Sequence, residues 1–196
     1  MGGCPAEPGR EAPLTLRRDD ALGPEARALI AESEAEQAAI YPPEFRFAFS
    51  PDALIAARTR FLVGYRNGRA IACGGVAPCD GYGELKRIFV TRSARGSGAA
   101  DAILAGLETE ARAAGLDLLR LETGEDSPAA LKLYARLGYH RRGPFGAYAE
   151  NGSSVFMEKR LTGSGPATPS QESTRGMASV TAAHPPGRGR TGASDR

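Results

Sequence analysis

The sequence predicts a mixed α/β fold, and three features carry that reading. Two strand-like runs in TRFLVGYRNGRAIACGGV (59–76) flank Asn67-Gly68, the strongest short signal for an antiparallel hairpin. Further on, ELKRIFV (84–90), a helical run from Gly98 to Ala114 and LDLLRLET (116–123) alternate as strand, helix and strand. A last β-rich run, SVFMEKRL (154–161), completes the sheet. A hairpin followed by strand–helix–strand makes a mixed sheet with flanking helices rather than a fully wound parallel one.

The remaining elements follow in chain order. PLTLRR (13–18) suits a short first strand. From Pro24 to Ile40 the pattern is helical and rich in alanine, and Pro42-Pro43 stop it. SPDALIAA (50–57) starts a second helix, with Ser50 as N-cap and Pro51 at the first helical position. In the helix after Gly98, residues Ile103, Leu104, Leu107 and Ala111 share one face, and Gly115 closes it. Pro128 to Leu137 is a further helix, capped by Ser127 and ended by Gly138. Residues 12–161 therefore make one domain. Beyond Leu161 small, polar, Pro and Gly residues dominate, too little apolar surface to offset the entropy of ordering, so 162–196 is expected to be disordered. The stretch 1–11 reads as a floppy terminus. It has Gly2, but Ala6 stands where a myristoylation signal needs Ser or Thr, and no apolar leader segment follows.

Composition narrows the function. The 196 residues carry 25 basic and 23 acidic side chains, a net charge of +2, which gives no nucleic-acid footprint. No apolar run approaches the roughly 20 residues of a membrane span. Cys4, Cys73 and Cys79 form no CxxC pair, so neither a disulfide framework nor a zinc knuckle is expected, and the setting is a reducing cytoplasm. With only His140 and His184 present, neither a histidine metal site nor a Ser-His-Asp triad is expected. His140 reads as a strand residue with a satisfied ring. The GRGR at 187–190 reads as part of a solvated tail, with RNA or acidic lipid as the alternative contact.

The chemistry concentrates in Arg95-Gly96-Ser97-Gly98-Ala99-Ala100, between a strand and a helix. The first amides of a helix lack internal partners, and the macrodipole adds about half a positive charge there. Small residues let a pyrophosphate reach that backbone, and Arg95 adds a bidentate grip. A Walker A loop would need Gly-Lys-Ser/Thr at its end, and a Rossmann fingerprint would need Gly or Ala where the chain has Asp101. As a lone motif the loop fits a plain structural turn equally well.

Its surroundings change that balance. Arg95-x-x-Gly98-x-Ala100 fits an Arg/Gln-x-x-Gly-x-Gly/Ala signature, and SPAALKLYARLGY (127–139) fits Asn-x-x-Ala-x-x-x-Tyr-x-x-x-Gly-Phe, with Ser127 for Asn and Tyr139 for Phe. With these two motifs the chain resembles the GNAT superfamily of N-acetyltransferases, in element order over most of 12–161 and closely over 84–146. YPPE (41–44) and the PFG-Y segment (144–148) are similar to bacterial small-molecule members. The resemblance implies the acyl-CoA N-acyltransferase fold, a mostly antiparallel sheet of about seven strands with one splayed pair, here 84–90 and 117–123. It implies acetyl-CoA as co-substrate and no metal. The splay would leave backbone groups of Ile88, Phe89 and Val90 for the pantetheine arm, bound like an added strand, with Ser127 in place of the usual Asn at that arm.

The implied reaction is direct attack of a primary amine, of a small molecule, an amino acid or a peptide, on the thioester. An amine of pKa about 10.4 is roughly 0.04 % neutral at pH 7, so it must lose a proton first. The leaving sulfur gains from a proton, and the resemblance places Tyr134 beside it. Spacing alone puts Tyr134 in a core stripe with Leu131 and Leu137. Glu84 and Glu122 are candidates for the base, directly or through water, and members of the superfamily differ on that residue. Both carboxylates are equally readable as surface groups paired with Lys86, Arg87 or Arg120. The acceptor side is expected from Glu36 to Phe49 facing GPFGAY (143–148). Tyr41, Phe45, Phe47, Phe145 and Tyr148 would be its walls, and Glu34, Glu36 and Glu44 would attract a cation. A packed helix pair with an acidic outer face is the alternative. A non-catalytic coenzyme A-binding sensor is the competing function. The chain is expected to be a monomer or a homodimer, the latter pairing through an edge strand at 154–161.

Overall fold

A computed structural model describes residues 12–39 and 50–161. The expectations for 1–11 and 162–196, the proline stop at 42–43 and the acceptor residues Tyr41, Glu44, Phe45 and Phe47 lie outside the described residues. The elements run β1 (Thr15–Asp19), α1 (Pro24–Ala38), α2 (Pro51–Ala56), β2 (Arg60–Arg66), β3 (Arg69–Cys79), β4 (Tyr82–Val90), α3 (Ala99–Ala113), β5 (Leu118–Gly124), α4 (Pro128–Arg136), β6 (His140–Arg142) and β7 (Ser154–Arg160). A 3-10 turn, Arg92–Ala94, joins β4 to the loop before α3.

Local chemistry sets these boundaries. Ser50 Oγ accepts from the Ala53 amide at 3.2 Å and caps α2, with Pro51 behind it. The β2–β3 turn puts both Asn67 (φ 51°) and Gly68 (φ 75°) in the left-handed region, as a type I′ hairpin needs. Unforeseen was a second hairpin, in which Asp80 and Gly81 (φ 77°) join β3 to β4. Pro78 pairs opposite Gly83 near the strand end, where a missing amide is tolerated.

The seven strands form one sheet in the order β1-β2-β3-β4-β5-β7-β6, antiparallel except for β4 and β5. β7 therefore lies between β5 and β6, paired with β5 along its length and with β6 at Phe156–Glu158. This corrects the expectation of an edge strand at 154–161: the strand inserts into the slot beside β5, and β6 covers the middle of its other side. His140 is a strand residue as expected, but its ring is exposed and 3.7 Å from Glu158 Oε1.

Helices cover both faces. Ile103, Leu104, Leu107 and Ala111 of α3, with Tyr134 of α4, close over Leu62, Val76, Leu119 and Leu121. Ala26, Leu29 and Ile30 of α1 and Leu54 of α2 close over Phe61, Val63, Cys73 and Phe89 on the opposite side. The period of two along β2, with Leu62 on one face and Phe61 and Val63 on the other, builds both layers at once.

One join in the sheet is incomplete. β4 and β5 pair only at Gly83↔Leu119 and Glu84↔Arg120, and Leu85–Val90 continue without a β5 ladder. Three residues past that point β4 carries a bulge. Cys73 faces Phe89 and Gly75 faces Lys86, so Arg87 and Ile88 together oppose Gly74, with Arg87 at φ 55°. A bulge bends and overtwists its strand, which carries the end of β4 further from β5. Gly74 makes room for it: a β-carbon there would lie 2.6 Å from Ile88 Cδ1 and 3.0 Å from Ile103 Cγ2. Gly74→Ala is therefore expected to lower stability by about 1–3 kcal/mol through overpacking. Urea unfolding should show a reduced midpoint at unchanged slope.

Candidate active site

The gap between β4 and β5 opens into a cleft of about 950 Å3. Ile88, Phe89 and Val90 form one wall, Leu121 and Glu122 of β5 the other, and Tyr134 of α4 reaches in from the end. Arg95, Gly96, Gly98, Ala99, Ala100 and Ser127, also singled out from sequence, line it further.

At the helical mouth, Gly96 (φ 79°) and Gly98 (φ 80°) occupy conformations that a side chain would strain. A β-carbon on either would meet nothing within 4 Å, so the space before them is open. Gly98 is the N-cap of α3 and caps nothing through a side chain. The Ala102 amide, 3.1 Å from Gly98 O, makes the first turn's bond, after Ala99, Ala100 and Asp101. Arg95 Nε donates to Val90 O at 3.2 Å, and its Nη2 donates to Glu36 Oε2 at 2.5 Å. The Val90 carbonyl thus has a partner, contrary to its expected freedom for a ligand. Ser97 does not line the cleft: its Oγ donates to Ala94 O at 2.6 Å and its carbonyl accepts from Arg66 at 3.3 Å. Ser127 stands at the α4 N-cap but makes no capping bond through its side chain, unlike the cap expected of it.

At the other end are the titratable groups. Tyr134 is 7 % exposed and packs edge-on against Tyr139, ring centroids 5.7 Å apart. Burial, helped by the charge on Glu122, drives its phenol far above the ordinary tyrosine range, so it keeps its proton at neutral pH. Burial also lifts the Glu122 carboxyl above the usual range, against a hydrogen bond from Ser154 Oγ (2.7 Å) and the charge of Lys86. Glu84 is not a surface carboxylate. It is buried, with Oε1 accepting from Lys86 Nζ at 2.5 Å and Tyr148 Oη at 2.8 Å, and it does not itself line the cleft. Burial, with the Glu84 charge behind it, holds the Tyr148 phenol far up as well.

On the acceptor side, Tyr148 lines the cleft, whereas Phe145 is buried among Tyr82, Tyr148 and Phe156. Glu34 and Glu36 are not the cation lure expected of them. Arg87 Nη2 holds Glu34 at 2.8 Å, and Arg95 holds Glu36. Sequence reasoning missed Ser154 and treated Lys86 only as a surface partner. The period of two places Glu84 and Lys86 on one face, a readable signal, but Ser154 comes to Glu122 only through the β5–β7 register.

With this geometry in place, comparison with known proteins is decisive about class. A sequence profile of the Acetyltransferase (GNAT) family matches residues 24–139. An IAA acetyltransferase of Azospirillum brasilense is 39 % identical over 150 residues, covering 76 % of this chain and 98 % of its own. The N-acetyltransferase YsnE of Bacillus subtilis (strain 168), itself uncharacterized, is 30 % identical and covers 76 % and 100 %. Among solved structures, a protein assigned as an acyl-CoA N-acyltransferase from Klebsiella pneumoniae aligns with a TM-score of 0.65 at 33 % identity, over 76 % and 98 % of the two chains. The PaiA N-acetyltransferase of Thermoplasma acidophilum, solved with coenzyme A, aligns at 0.60 and 17 % identity over 76 % and 99 %, a likeness of fold.

The chain belongs to the acetyltransferase (GNAT) family. It is an acetyl-transferring enzyme whose donor is acetyl-CoA, and the non-catalytic sensor reading gives way to that. The residues present fit such a donor, with uncapped amides facing open space at one end and strand edges without a ladder along the cleft.

The raised Glu122 carboxyl makes a stability prediction. In the folded state it holds its proton to higher pH than in the unfolded chain, so folding is penalised as pH rises past the ordinary Glu value of about 4.3. Glu122→Gln should therefore raise the melting temperature at pH 7, and the gain should vanish below about pH 4. Thermal melts across that range check it.

Proposed function

We propose that the enzyme is an N-acetyltransferase of a primary amine on a small molecule, amino acid or peptide, with residues 12–161 as its catalytic domain. The supporting observation is the pairing, in one cleft, of a carboxyl lifted by burial with a phenol that keeps its proton. Acetyl-CoA supplies the acetyl group as an activated thioester. Ala99 and Ala100 amides with Arg95 hold a diphosphate, which competes with Glu36 for the guanidinium. Ile88 and the Val90 amide offer backbone to an amide-bearing arm. Glu122 takes the proton from the ammonium, so the amine lone pair becomes free to attack. Tyr134 gives its proton to the departing sulfur. Glu84, locked to Lys86 and Tyr148, shapes the acceptor end rather than acting as base. The free thiols of Cys73 and Cys79 fit a reducing cytoplasm. Among the described residues no helix is long and apolar enough to cross a membrane.

Thiol release should be followed with polyamines, amino acids, aminoglycosides, peptide N-termini and, because the 39 % identical relative is named for it, IAA. Release with none of the amines would overturn the amine reading. Tyr134→Phe should bind coenzyme A as the parent does by calorimetry and lose about 100-fold or more in kcat, the range for a lost general acid. Undiminished kcat would remove Tyr134 from the mechanism.

A further inference from the structure

Glu122 does not hang freely in the cleft. Its Oε1 accepts from Ser154 Oγ at 2.7 Å, and Ser154 Oγ in turn accepts from Asn151 Nδ2 at 3.0 Å. The direction of this chain is fixed at both ends. Asn151 Oδ1 is taken by the amides of Ser153 (3.0 Å) and Ser154 (2.9 Å), so its amide group is turned with Nδ2 towards the serine. A hydroxyl that accepts from an amide has its single proton left for the carboxylate. The turn that carries both residues is itself anchored. Gly152 adopts φ 74°, Ser153 O accepts from the Glu125 amide at 2.8 Å, and Ser154 pairs opposite Gly124 at the end of β5. Glu122 lies opposite Phe156, two residues along, so Ser154 is its diagonal neighbour on the same face.

We propose that Ser154, oriented by Asn151, is the positioning residue that holds the Glu122 carboxylate as proton acceptor for the incoming amine. The proposal rests on Glu122 being the base. Ser154 stabilises the ionised carboxylate against its burial and pins one oxygen. Among the described residues Oε2 takes no hydrogen bond and is left for the amine. The ammonium proton passes to Glu122, the N–H electron pair stays on nitrogen for attack, and Ser154 keeps its own proton throughout. Other groups also face Glu122. Lys86 and Glu84 reach it from β4 with opposite effects, Tyr134 from α4, and Tyr148 from the segment before β7. None of these donates a hydrogen bond to it, which leaves Ser154 as the one directional contact among the described residues.

Two readings test this in the full chain. Carboxyl carbon NMR of Glu122 without coenzyme should show Ser154→Ala moving its titration midpoint upward by about one pH unit, the worth of one hydrogen bond to a charged group. The acidic limb of kcat/KM should move upward with it. Ser154→Thr, which keeps the hydroxyl, should leave both in place. Asn151→Ala, a change at an exposed side chain, should move both the same way by less, and it serves should Ser154→Ala fold poorly. Lost activity with an unmoved Glu122 midpoint would overturn the positioning role. An acidic limb retained in Glu122→Gln would overturn the base assignment beneath it, and the NMR midpoint keeps those two failures apart.

Discussion

β4 and β5 share two residue pairs at one end and then part, and the cleft of this protein is built on that separation. A central pair in a sheet normally satisfies both strands, and a buried amide or carbonyl left without a partner costs about 1–3 kcal/mol. A split six residues long is tolerable only when it faces water or an extended guest with amides of its own. The split is written into small residues. Gly83, where the ladder still holds, has no room for a β-carbon between Leu119 and Val76, each 2.8 Å away. Past it, Gly74 yields space to the bulge at Arg87 and Ile88. Close packing joins the strands at one end and local overtwisting parts them at the other.

The charges on α1 belong to the same design. Glu34 and Glu36 lie on the helix that covers the far face of β4, and each meets an arginine, Arg87 in the bulge and Arg95 in the loop before α3. Arg87 is held in a left-handed conformation that a non-glycine residue adopts only under constraint, and its side chain, 7 % exposed, ends on Glu34. Arg95 differs, because its side chain is 48 % exposed and an ion pair so open to water contributes little. An anion at the α3 terminus can displace Glu36 at small cost, whereas nothing comparable loosens Arg87. One pair fixes the shape of the cleft and the other leaves its mouth adjustable.

How far the sequence revealed this depends on whether the determinant is local. The Asn67-Gly68 hairpin, the Ser50 cap and the glycine loop before α3 are set by residues within a few positions of one another, and they read correctly. The Asp80-Gly81 hairpin was just as local and went unread. The place of β7 was not legible: a run of β-formers at the end of a domain reads as an edge, and only three-dimensional order puts it between β5 and β6. The same non-locality hid Ser154, which is 32 residues from Glu122 in the chain. Glu34 and Glu36 misled for a related reason, since a run of acids on a helix does not disclose the arginines of another element that neutralise it.

The two carboxylates show how one residue type comes to two different states through its neighbours alone. Glu84 and Glu122 project from adjacent strands towards the same region, and the charge of Glu84 is felt at Glu122. Glu84 has a lysine ammonium and a phenol on a single oxygen, so its charge is matched within the protein and it has little to offer a substrate. Lys86 and Glu84 are both more than nine-tenths buried, and removing either would strand the other's charge away from water. That mutual dependence makes the pair a fixture. Glu122 has a neutral hydroxyl in place of a cation, so burial prevails and its affinity for a proton rises. Proton transfer is most effective when the acceptor's pKa approaches the working pH, and a buried carboxyl with one neutral donor moves in that direction. The balancing charge that would make Glu122 inert has gone to its neighbour.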